Sequence, residues 1–188
     1  MKKIFIGTTA LLTILISILI LPVYSQNTVK LDKGAFVLVY SKKTLSSETM
    51  QEGDRVYFIS PADVWVNETN IVPENSVFVG YVSMLKMPIK GINAAFSIKI
   101  THIILPDGET KNFSGRISNG KSDILGGELA PPASYNKMTH PYQSRWHWSG
   151  TTQWVPSGEY EYGRHRGITP GQKLFIVLDE PYYCPERF

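Results

Sequence analysis

Ala94-Ala95-Phe96-Ser97-Ile98-Lys99-Ile100-Thr101-His102-Ile103-Ile104-Leu105 decides the fold class, together with the turn Pro106-Asp107-Gly108 and the run Thr110-Lys111-Asn112-Phe113-Ser114-Gly115-Arg116-Ile117 beyond it. Apolar residues recur at every second position, the period of a strand with one buried face. The Asp-Gly pair supplies the backbone angles of a tight reversal, so the two runs predict a long β-hairpin.

The same pattern extends in both directions. Ala35–Tyr40 is one run, and Arg55–Ile59 comes after the turn Glu52-Gly53-Asp54. Val64–Val66 is short. Ser76–Met84 carries Gly80 inside it, a predicted bulge or bend. Lys173–Asp179 is the last run. Three of these strands begin alike, with a tight turn, then Phe36, Phe78 or Phe175, then β-branched residues. The three phenylalanines are expected as core anchors. No segment after Gln26 keeps a helical period over three turns. The predicted fold is therefore all-β, a small partly closed barrel or sandwich of about six to eight strands.

Between Ser118 and Thr169 the alternation fails. This insert, at about 118–168, holds Gly126-Gly127, Pro131-Pro132, Pro141 and Pro156, and three of the four tryptophans. Long loops are functional or disordered more often than not, and aromatic density argues against disorder. An ordered excursion is expected, with two short strands, lying over one end of the barrel.

The amino terminus reads as an export signal. Met1-Lys2-Lys3 is basic, Ile4–Val23 is an uncharged apolar run, and Pro22 and Ser25 suit a cleavage site after Ser25. An uncleaved membrane anchor is the alternative, since about 20 helical residues span a bilayer core. Either way residues 26–188 form a single β domain beyond the cytoplasmic membrane, because the basic end stays inside. The expected location is periplasmic or otherwise in the cell envelope. Without residues 1–25 the 19 basic residues of the 188-residue chain fall to 17, against 16 acidic ones. A near-neutral domain gives no support to nucleic-acid binding. Cys184 is the only cysteine, so no internal disulfide forms, and it is expected in a frayed tail.

Several segments from Leu31 to about Ile117 resemble a bacterial envelope domain, the C-terminal β-barrel of the VirB10/TrbI-type conjugation proteins. They are Lys33-Gly34, Leu45-Ser46-Ser47, Gly53-Asp54-Arg55-Val56, Asp63-Val64, Ile71-Val72-Pro73-Glu74-Asn75-Ser76 with Gly80-Tyr81-Val82, and Thr101–Gly108. Asn75 stands where that family has glycine, and neither its membrane-crossing helical segment nor its proline-rich arm is matched. The resemblance implies a non-enzymatic envelope β-barrel that binds other proteins, with no catalytic residue to carry over. It also implies a bacterial source, so the sequons Asn67-Glu68-Thr69 and Asn112-Phe113-Ser114 are read as coincidence.

The chain carries no nucleophile motif. His102 lies in the long strand, where a lone histidine is solvent-facing or hydrogen-bonded. His140, His147 and His165 are too widely spaced for a zinc motif, and a loop site with Glu159 or Glu161 is the weaker reading. No metal and no cofactor is expected. The aromatic insert is the candidate surface, with Trp146, Trp148, Trp154, Arg145, Tyr160, Tyr162 and Arg164 as partner-binding residues. Trp, Tyr and Arg are enriched at interface hot spots. The leading expectation is a non-enzymatic envelope protein that binds other proteins, in its narrower form a part of a surface or secretion assembly. The alternative is a carbohydrate- or peptidoglycan-binding module, or a cell-wall enzyme, using the same tryptophans. A third reading has them capping the barrel core.

Overall fold

A computed structural model describes residues 28–143 and 148–185. The amino-terminal segment read as a signal or anchor lies outside them. The described chain is all-β. Its strands are β1 (Thr28–Leu31), β2 (Phe36–Tyr40), β3 (Leu45–Ser46), β4 (Arg55–Ile59), β5 (Val64–Val66), β6 (Thr69–Val72), β7 (Val77–Lys86) and β8 (Ala95–Ile104). They continue with β9 (Thr110–Ser118), β10 (Leu125–Gly126), β11 (Pro132–Gln143), β12 (Trp148–Tyr160), β13 (Gly167–Ile168), β14 (Lys173–Leu178) and β15 (Tyr182–Pro185).

Six strands close a barrel in the order β8-β7-β4-β2-β14-β9, with β9 returning to β8, and β10 adds one strand to the start of β8. Closure removes the free edges that a flat sheet would expose. The interior is filled by alternate residues, among them Val37, Val39, Phe58, Phe78, Phe96, Ile98, Ile100, Phe113, Ile117, Leu174 and Ile176. Each large apolar side chain buried here stabilises the barrel by roughly 1.5–3 kcal/mol. Phe78, Phe113 and Tyr182 form an aromatic chain with ring centroids 5.0 and 4.9 Å apart.

The predicted hairpin is β8–β9, but its alternation breaks once. Thr101 is an extra residue opposite β7, where the ladder jumps from Gly80↔Ile100 to Val79↔His102; on the other side, from Ile100↔Gly115 to His102↔Asn112, the extra residue belongs to β9. The bulge lets Ile100 and Ile103 both face the core. His102 is half-buried, its Nδ1 2.9 Å from Thr101 Oγ1. The bend expected at Gly80 is there, and its cause is space: a Cβ on Gly80 would lie 2.3 Å from the Lys99 carbonyl oxygen.

Three expectations are corrected. Phe78 is a core anchor, but Phe36 is 70% exposed and Phe175 is half-buried beside it, their rings edge to face at 5.7 Å on the outside of the barrel. Val37 and Val39 take the interior parity instead. Cys184 is not in a frayed tail: it is buried in β15, paired with Val29 of β1. The insert holds two long strands, of 12 and 13 residues, rather than two short ones, and these stand off the barrel instead of lying over its end.

Candidate functional site: the aromatic ribbon

β11 and β12 form a two-stranded antiparallel ribbon that pairs with no other strand among those described. The local sequence explains its start. Pro132 is opposite Tyr160, and the ladder then slips by one residue before Ser134↔Ser157. Gly158 takes the slack with φ +73, a conformation that a side chain would strain. Ser134 Oγ donates to the Ser157 carbonyl at 3.1 Å and lies 2.8 Å from Ser157 Oγ, tying the two strands at that point.

The root of the ribbon is clamped to the barrel. Gly91 N–H donates to Glu161 O at 2.9 Å, Ala130 N–H to Gly91 O at 2.9 Å and Gly163 N–H to Ile89 O at 2.9 Å. A Cβ on Gly163 would sit 1.9 Å from the Ile92 carbonyl oxygen, so only glycine permits this approach. Lys90 pairs with Glu159, and buried Asn93 accepts the Arg164 N–H at 2.9 Å. A rigid base with a free-standing arm is the outcome.

The candidate residues are spread along this arm rather than gathered. Trp154 opposes Lys137 and is 64% exposed. Trp148 opposes Gln143 at the far end of the ladder, six residues and so about 20 Å further out. Arg145 and Trp146 lie outside the described residues. Tyr160, Tyr162 and Arg164 sit at the root, all exposed, with Arg164 Nη2 3.9 Å from Glu161. For the described aromatics, the reading as caps that complete the barrel core is corrected, since Trp154, Tyr160 and Tyr162 face solvent. Tyr135, one of the insert's aromatics, is also exposed on β11; sequence reasoning missed Met138 beside it, and the cluster Ile89, Ile92 and Leu129 beside Tyr162 at the root. The signal for the root cluster was present in Pro88-Ile89-Lys90-Gly91-Ile92, where apolar residues lie next to Pro and Gly with no strand alternation to bury them.

One pair looks like the start of a nucleophilic site. Ser47 Oγ lies 3.2 Å from His165 Nδ1. A serine beside a base is the usual arrangement for covalent catalysis. However, Ser47 is fully buried and its Oγ accepts the Arg166 N–H at 3.0 Å, while Ser47 N–H donates to Arg166 O at 2.8 Å. The pair straps the end of the insert to the loop after β3. Among the described residues, no three His, Cys, Asp or Glu side chains come together as a metal site.

No family model and no curated protein matches the chain. A solved structure similar to it is ComB10 of the Com type IV secretion system of Helicobacter pylori, with 12% identity and a TM-score of 0.46 over 84% of this chain and 93% of that one.

Proposed function

We propose that the protein is an exported, non-enzymatic component of the cell envelope whose β11–β12 ribbon binds other envelope proteins, as part of a surface or secretion assembly. The observation that carries this is the ribbon itself. Tyr135, Met138 and Trp154 are exposed on an arm with both outer backbone edges unpaired. Two-stranded ribbons are marginal in water on their own. Unpaired edges accept a further strand, and aromatic side chains and Met are enriched where proteins meet. The Ser47 hydroxyl is buried and engaged with the Arg166 backbone, so the Ser47–His165 pair serves as a strap.

The test is a photo-crosslinking amino acid placed at position 154 in the full chain in living cells. The reading expects adducts with one or a few envelope proteins, lost when Tyr135 and Met138 are changed to Ser. Adducts to peptidoglycan alone, or none above those from a control site at Lys33, would contradict it.

A further inference from the structure

The barrel closes through one weak joint, between β2 and β4. These strands share a single ladder pair, Tyr40↔Ile59, whereas β4 and β7 share five. Asp54 O accepts the Val82 N–H at 3.0 Å, and Ser60 N–H donates to Ser76 O at 3.0 Å, so both ends of β4 bond toward β7. Successive residues of a strand direct their N–H and C=O groups to opposite sides. Val56 and Phe58 therefore bond toward β7, and Arg55 and Tyr57 present two N–H and two C=O groups to the β2 side. Among the described residues nothing takes up these four groups.

A turn opens the joint. Ser41 O accepts the Gly171 N–H at 2.9 Å, and Ser41 Oγ donates to Lys43 O at 2.7 Å. The chain after β2 is thus drawn toward the turn before β14, and it does not continue along β4. The space left is a groove of about 290 Å³, walled by Leu45, Ile59 and Val77 and edged by Lys42, Lys43 and Arg55. The three cations are exposed, and none is in an ion pair among the described residues. The acids next to Arg55 in sequence are engaged by backbone: Glu52 Oε1 accepts the Leu85 N–H and Asp54 Oδ2 the Gln51 N–H, both at 2.8 Å.

We infer that this groove takes an extended acidic segment of a partner protein, added to β4 as a strand. Its backbone pairs with the open N–H and C=O groups of Arg55 and Tyr57. An apolar side chain lies against Leu45, Ile59 and Val77, and carboxylates near it meet Lys42, Lys43 and Arg55. Charge selects the occupant, because a basic strand would set like charges against these three. Lysines also guard sheet edges against pairing, but a guard requires no apolar hollow beside it. An anionic membrane surface would answer the same charges without pairing to β4.

The groove is built from the barrel and not from the ribbon, so its test is separate. The peptide acetyl-Glu-Glu-Val-Val-Val-Glu-Glu-amide is titrated into the full chain while the Arg55 and Tyr57 amides are followed by two-dimensional NMR. Saturable shifts of both are expected. Changing Lys42, Lys43 and Arg55 together to Gln weakens binding about tenfold or more, as does replacing the four Glu of the peptide by Gln. Methylating the three valine nitrogens of the peptide, which keeps its charge and removes its central donors, abolishes binding. The inference fails if the methylated or the Gln peptide binds as well as the parent, or if the triple variant binds as tightly as wild type. It fails too if the peptide gives no saturable shift, whether or not phosphatidylglycerol vesicles give one.

Discussion

Along β14 the chain alternates residue by residue, with Leu174, Ile176 and Leu178 almost inaccessible between partly exposed neighbours. Along β11, Ala133 to Met138 are exposed without a break. Both segments are strands, with complete ladders to their partners. The difference is closure. In the barrel each strand has two neighbours and a shared interior, so alternation becomes burial. In the ribbon each strand has one neighbour and neither face has a second layer. Backbone pairing thus specifies the strand, while burial requires a surface to pack against, which the barrel contains and the ribbon lacks.

The contrast is broken most severely inside the barrel. Phe78 is fully buried against Phe113, so Phe78→Ala lowers unfolding stability by about 3–5 kcal/mol. Trp154→Ala, on the ribbon, changes it by less than about 0.5 kcal/mol. Chemical denaturation of both variants reads the two values, and a Trp154 effect as large as that of Phe78 would make the ribbon part of the core. Gly80→Ala comes next. Its new Cβ meets Lys99 O at 2.3 Å and Ile100 Cδ1 at 2.8 Å, so a backbone shift at the bulge costs about 1–3 kcal/mol, again by denaturation. Hydrogen exchange sharpens the comparison without mutation. Amides of 153–157 exchange through local opening, while those of Ile98, Ile100 and Ile176 wait for global unfolding.

The smallest effect concerns Asp63. Its pKa is lowered from 3.8, first by the Glu74 N–H and then by the Asn70 side chain. A carboxylate with a depressed folded pKa contributes stability that is complete above the unfolded value and is lost as pH falls below it. The loop at Glu74 and the β5–β6 hairpin at Trp65 therefore loosen as pH falls through that lowered pKa, below the ordinary aspartate range, seen as a change in the Trp65 indole signal. Asp63→Asn shows the loosened signal already at pH 7, and its response on acidification is smaller than that of wild type.

The same contrast explains how much was legible in the chain. The β8–β9 hairpin and most barrel strands were readable because period and turn chemistry are local. Which parity faces inward is not local: it put Phe78 inside and Phe36 outside although both come after similar turns. The Thr101 bulge was invisible because it depends on the register with β7, a strand remote in sequence. The β1–β15 pair escaped notice, being two four-residue strands from opposite ends of the described chain, and so Cys184 read as tail. The insert's aromatic content was plain, but its two long strands were masked by prolines, which an unpartnered ribbon tolerates at its free edges. The groove beside Arg55 attracted no attention because its walls at Leu45, Ile59 and Val77 come together only in the fold.

The most direct test of the central claim replaces residues 133–159 with Asn-Gly, joining Pro132 to Tyr160, which already face each other across the ladder. The account predicts an unchanged denaturation midpoint for the barrel and complete loss of capture of the envelope proteins crosslinked through position 154 in the full chain. A shortened protein that unfolds several kcal/mol more easily, or that still captures those proteins, would contradict it.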